Sequence, residues 1–171
     1  RVAPDGSGFT TLTSAGDARA PLVSPDGKTL YYTADLATSP KATRMSITPG
    51  STSETISSQW FNAQAVSPDG TQLLGHAWDQ SQQRGFLALM DVRDGSVRAV
   101  PGAAIRGTFM PDGSLLVVER TQGKEQAVIR PHRGGEARPL GPATIDTIPA
   151  VAVSREGRIA LVRSQSVTDV V

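Results

Sequence analysis

Cysteine is absent from this 171-residue chain. That excludes disulfides and thiolate metal sites without fixing a compartment. An excess of either charge is missing as well: 17 basic and 16 acidic side chains leave a formal net charge of +1. Electrostatics therefore give no reason to expect nucleic acid or an anionic membrane as partner. No apolar run approaches the roughly 18 residues that cross a bilayer, so direct membrane insertion is not expected. Aromatics make up only 5% of the residues, with two tryptophans among them. No segment shows helical periodicity sustained over three turns. The chain opens at Arg1 with neither Met nor a signal-peptide pattern, and reads as a processed or partial chain.

What is present is repetition. "SPDGKTLYY" begins at Ser24, "SPDGTQLLG" at Ser67, "MPDGSLLVV" at Met110 and "SREGRIALV" at Ser154, at spacings of 43, 43 and 44 residues. Proline presets φ at the second turn position, Asp tolerates the third, and Gly takes the left-handed conformation that other residues resist. The motif predicts a tight hairpin, with a three-residue loop and a bulge. "APLV" (20–23) enters the first turn and "KTLYYTA" (28–34) leaves it. A polar loop, a third strand, a Gly-rich turn and a short fourth strand follow in each repeat. The third strands read "TRMSIT" (43–48), "FLALMDV" (86–92) and "QAVIRP" (126–131); the fourth read "ETIS" (54–57), "VRAV" (97–100) and "ARPL" (137–140).

Four short strands per unit make one small antiparallel sheet, which cannot bury two apolar faces unaided. Radial stacking of units of about 40–50 residues gives a β-propeller. The chain divides into the end of a preceding blade (1–13), three blades (14–57, 58–100, 101–141) and an incomplete last blade (142–171). The fold class is thus all-β, a segment of a larger ring. An incomplete ring leaves blade faces to be covered by the remaining blades or by another copy of the chain. Four-bladed closure is the alternative, with Arg1 to Thr13 completing the last blade.

"LVSPDGKTLYY", "AVSPDGTQLLG" and "TFMPDGSLLVV" resemble the S-P-D-G repeat of TolB-like propellers, over nearly the whole chain. The resemblance implies closed rings of six or more blades, a bacterial source and a periplasmic or other extracytoplasmic location. "SQSVTDVV" (164–171) also resembles the closing segment of propellers fused behind bacterial winged-helix regulators or serine/threonine kinases.

Candidates for chemistry are sparse. His76 and His132 fall at non-matching positions of different repeats and do not form a metal set. The turn serines (Ser24, Ser67, Ser154) and turn acids (Asp26, Asp69, Asp112, Glu156) are explained by turn geometry, and no G-x-S-x-G motif occurs. No catalytic residue, cofactor or metal is expected. Trp60 and Trp78 read first as packing between blades, with an exposed recognition aromatic as the alternative. Polar residues before each innermost strand are placed by the fold near a channel mouth: Asp17, Arg19, Asn62, Gln64, Arg106, Thr108 and Asp146. They are the candidate binding residues. The expected function is a non-catalytic scaffold for a protein, peptide or other ligand, as the sensory or C-terminal domain of a larger protein. The competing expectation is a substrate-gating propeller of a prolyl-oligopeptidase-like peptidase or an amidohydrolase.

Overall fold

The repeated turn sets the strand order. In a computed structural model, which describes residues 11–12, 18–35, 38–131 and 135–164, the first hairpin of every sheet turns at one of the four repeats. The first sheet runs β1 (Arg19–Val23), β2 (Thr29–Ala34), β3 (Lys41–Ser46), β4 (Ser53–Thr55). The second runs β5 (Phe61–Val66), β6 (Gln72–Asp79), β7 (Arg84–Asp91), β8 (Val97–Ala99). The third runs β9 (Ala104–Phe109), β10 (Leu115–Thr121), β11 (Lys124–Arg130), β12 (Arg138–Pro139). A two-stranded sheet of β13 (Thr147–Val153) and β14 (Ile159–Ser164) follows. All pairings are antiparallel between chain neighbours, and the described residues contain no helix. The chain is an all-β partial propeller, and it divides into two compact units, Arg1–Arg98 and Ala99–Val171.

The turn glycines Gly27, Gly70, Gly113 and Gly157 all have φ between 71° and 83°, as the motif requires. The expected three-residue loop is found in the third and fourth hairpins, closed by the Met110 amide on the Ser114 carbonyl and the Ser154 amide on the Arg158 carbonyl. It is corrected in the first two, where Ser24 bonds Thr29 and Ser67 bonds Gln72 and the loop is one residue longer. Side chains make the wider loop closed. Ser24 Oγ donates to Asp26 Oδ1 at 2.6 Å and accepts from the Thr29 amide at 2.9 Å. Ser67 repeats both bonds, to Asp69 and from Gln72, at the same distances. Such local bonds stand in for ladder bonds at a turn.

The second strand of each of the first three blades reads as a continuous apolar run because both its faces are covered, whereas β14 is largely exposed. In β2, Tyr31 packs in the cluster shared with the second sheet, while Leu30 and Tyr32 pack on the opposite side with Met45. Phe61, Leu73, Ala88 and Met90 are fully buried between the first two sheets of unit one. Unit two builds its own core from Leu116, Val118, Ala127 and Ile148. Each large apolar side chain so buried contributes about 1.5–3 kcal/mol before ordering costs. Gly75 shows how tight the first core is, since a Cβ there would stand 2.3 Å from the Asn62 carbonyl oxygen.

Candidate functional site

The candidate residues near the innermost strands are mostly engaged by the blades themselves. Arg19 is exposed on β1 opposite Thr33. Asn62 Oδ1 accepts from the buried Thr33 hydroxyl at 3.2 Å, and Gln64 Nε2 lies 2.9 Å from His76 Nδ1. Arg106 Nη1 donates to the Ile148 carbonyl at 2.8 Å. Thr108 is half-buried on β9, and Asp146 pairs with Arg163 at 3.3 Å. Asp17 and His132 lie outside the described residues, as does most of the hairpin expected over 1–13.

Three of the loop and turn acids are held firmly as carboxylates. The Ser24 hydroxyl, then the Lys28 amide, lower the Asp26 carboxyl below the usual range, and Ser67 with Thr71 does the same for Asp69. Asp79 is lowered by Ser81 and the Gln82 amide. Groups ionised this firmly are poor general acids near neutral pH. Glu125, with only 2% of its surface exposed, accepts from the Ile148 amide at 2.6 Å and from the Arg120 guanidinium. No cluster of three or more His, Cys, Asp or Glu able to hold a metal occurs among the described residues. No helix of the described residues is long and apolar enough to cross a membrane.

A feature that sequence reasoning approached only through its tryptophans lies in unit one. A cleft of about 680 Å³ opens between the first two sheets at their loop ends. Trp60 and Trp78 form its aromatic wall, with ring centroids 6.3 Å apart and planes tilted by 50°. Trp78 keeps 40% of its surface exposed, while Trp60 is half-buried. Thr38, Ser39, Ser58, Gln59 and Gln80 also line it, and none of the described lining residues carries a charge.

Short turns fix these residues. Thr38 and Ser39 donate their amides to the Asp35 carbonyl at 3.1 and 2.9 Å. Asp35 itself sits at φ 55°, a conformation Asp tolerates. Trp60 precedes Phe61, whose amide donates to the Pro40 carbonyl at 2.8 Å and whose ring is fully buried. On the other wall Asp79 Oδ1 accepts from the Ser81 and Gln82 amides, closing the loop that carries Gln80. Gln59 and Gln80 were legible only as loop residues, because nothing in their local sequence marks them as neighbours of the indoles.

Comparison with solved structures bears on the fold. TolB from Acinetobacter baumannii superposes with a TM-score of 0.78 at 23% identity, over 98% of this chain and 43% of that one. A putative TolB from Agrobacterium tumefaciens gives 0.75 at 16% identity, over 89% and 56%. The fold is that of the TolB propellers. This propeller segment spans about half the length of those two proteins. A prolyl endopeptidase structure is also similar, with a TM-score of 0.52 and 13% identity, over 95% of this chain and 27% of that one. No family model and no curated protein matches the sequence.

Proposed function

We propose that this propeller segment is a non-catalytic binding scaffold that works outside the bacterial cytoplasm and recognises a protein, peptide or other ligand. One observation carries the reading. The cleft of unit one is walled by indoles, amides and hydroxyls, while the turn serines and acids are already bonded within their own turns. Hydrolysis needs a nucleophile with its base, paired carboxylates or a metal-bound water. Binding needs rigid walls and a few polar groups, which the locked turns supply. Its further partners are the remaining propeller sequence or a second copy, consistent with the greater length of the similar TolB structures. The substrate-gating reading draws on fold likeness to a prolyl endopeptidase and on no residue of this chain.

Peptidase, esterase and phosphatase panels on the purified protein test this directly. No turnover is expected. Turnover that survives repurification and is lost on changing His76 or a turn serine would replace the scaffold by an enzyme.

A further inference from the structure

We propose that the Trp60–Trp78 cleft binds a short neutral oligosaccharide, an inference that rests on the scaffold reading and names a ligand class for it. No described residue lining the cleft is ionisable, so no counter-charge offsets the desolvation of an ionic ligand, and only a cation would gain anything from the indole faces. An uncharged ligand loses least on entry.

Shape and hydrogen-bonding capacity then separate the neutral candidates. Exposed indole faces accept flat apolar surface, and both a pyranose ring's C–H face and a proline ring offer it. The polar lining differs in what it asks for. Primary amides and hydroxyls each both donate and accept, and Gln59, Gln80, Ser39 and Ser58 present such groups around the indoles. Every sugar hydroxyl also donates and accepts, so each partner group can be satisfied in either sense. A proline-rich strand lacks amide protons at its prolines and offers mainly carbonyl acceptors. It would leave the acceptor oxygens of the glutamines without donors, and unmet polar groups weaken binding. The tilt of 50° between the indoles favours the same ligand. One ring can stack on a sugar while the other closes the side, whereas a polyproline helix prefers parallel aromatic ridges. A volume of about 680 Å³ falls within the usual range for small-molecule clefts and has room for more than one sugar ring.

The chain has two tryptophans and both line this cleft, so intrinsic fluorescence reports on it without a label. The probes are neutral gluco- and N-acetylglucosamine oligosaccharides, a sulfated oligosaccharide and a proline-rich decapeptide. A saturable fluorescence change with at least one neutral oligosaccharide is expected, with weaker or no response to the sulfated one. The double variant Gln59→Ala/Gln80→Ala keeps both indoles and lies on exposed positions, so it should fold. Affinity should fall by about tenfold or more in it, the loss of one or two hydrogen bonds. Calorimetry on Trp78→Ala should show binding lost, with the circular dichroism spectrum unchanged. Saturable binding of the decapeptide without any oligosaccharide would overturn the sugar assignment and leave the scaffold reading standing. Silence towards every probe, or equal affinity in the double variant, would overturn it as well. Turnover in the enzyme panels would instead sink the scaffold reading, whatever the sugar result.

Discussion

Two blade joints in this molecule solve the same problem with different chemistry. Phe61 and Ile148 hold equivalent places, each six residues ahead of its turn serine and each buried. The amide of each must find an acceptor in the preceding sheet. In unit one the acceptor is the Pro40 carbonyl at 2.8 Å. In unit two it is the Glu125 carboxylate at 2.6 Å. Pro40 and Glu125 are themselves equivalent, since Ile56 bonds the Ala42 carbonyl and Leu140 the Ala127 carbonyl, two residues further on. A carbonyl needs no counter-charge. A buried carboxylate does, and Arg120 bonds it while Arg106 adds charge and bonds the Ile148 carbonyl. Unit one adds a neutral bond at its own joint, the Thr33 hydroxyl, which receives the Ala63 amide at 3.3 Å and donates to Asn62. An ionic joint is more sensitive to change than a neutral one, because each partner left behind carries a charge or an unmet bond.

The largest effect should come from Glu125→Leu. It strands the buried Ile148 amide, at about 1–3 kcal/mol, and takes the carboxylate from the half-exposed Arg120 and the nearby Arg106, at up to about 1 kcal/mol more. Urea unfolding followed by circular dichroism senses the whole chain, whereas tryptophan fluorescence senses unit one alone. The dichroism midpoint should drop further than the fluorescence midpoint. Identical shifts by both probes would show that the two units unfold as one cooperative body. Next is Arg106→Met, which keeps the side-chain stem and removes the charged bond to Ile148, at about 1.5–3 kcal/mol. The exposed Arg19→Ala serves as its control and should stay within about 0.5 kcal/mol. Equal effects of the two would mean that Arg106 contributes nothing at the joint. Thr33→Val, in the neutral joint, should cost about 1–3 kcal/mol, since it leaves the Ala63 amide unmet in a fully buried place. Here the fluorescence midpoint should move, and a silent fluorescence trace would refute the assignment of that bond to unit one's stability.

The periodic part of this molecule was legible because it is written locally. Pro, Asp and Gly in a fixed order force one turn, and the run after each turn forces one strand. "LYYT", "LLGHA" and "LLVV" each appear where a doubly covered strand is needed. The joints were not legible, because their chemistry depends on residues brought together across sheets. Glu125 reads in sequence as the end of the polar loop "RTQGKE", and only its register beside Ile148 makes it a buried acceptor. Arg106 reads as a channel-mouth residue for the same reason: its position in the strand was evident, and its partner 42 residues on was not. The cleft stands between these cases. The two indoles were visible as neighbours within one repeat, but the amides that give the wall its polarity come from loops of no marked composition.

The smallest and most specific effect concerns acid. Burial pushes the Glu125 carboxyl up, but the Ile148 amide, the Arg120 guanidinium and the charge of Arg106 outweigh it and hold it below its ordinary 4.5. The unfolded chain therefore takes up this proton more readily than the folded one. Stability contributed by the site is fully present above pH 4.5 and is lost as pH falls through the lowered folded value. Acid unfolding of the native protein does not isolate this contribution. Asp26, Asp69, Asp79 and Asp91, the last held at about 2 chiefly by the Arg93 guanidinium, lose stability in the same direction. The difference between the native protein and Glu125→Gln does isolate it, since the amide keeps the shape but does not titrate. That difference in midpoint should be flat from about pH 7 to pH 5 and then shrink steadily as the solution is made more acid. A difference that stays constant down to about pH 3 would mean that the Glu125 carboxyl binds its proton equally well folded and unfolded, and that its charge adds no stability to the joint in unit two.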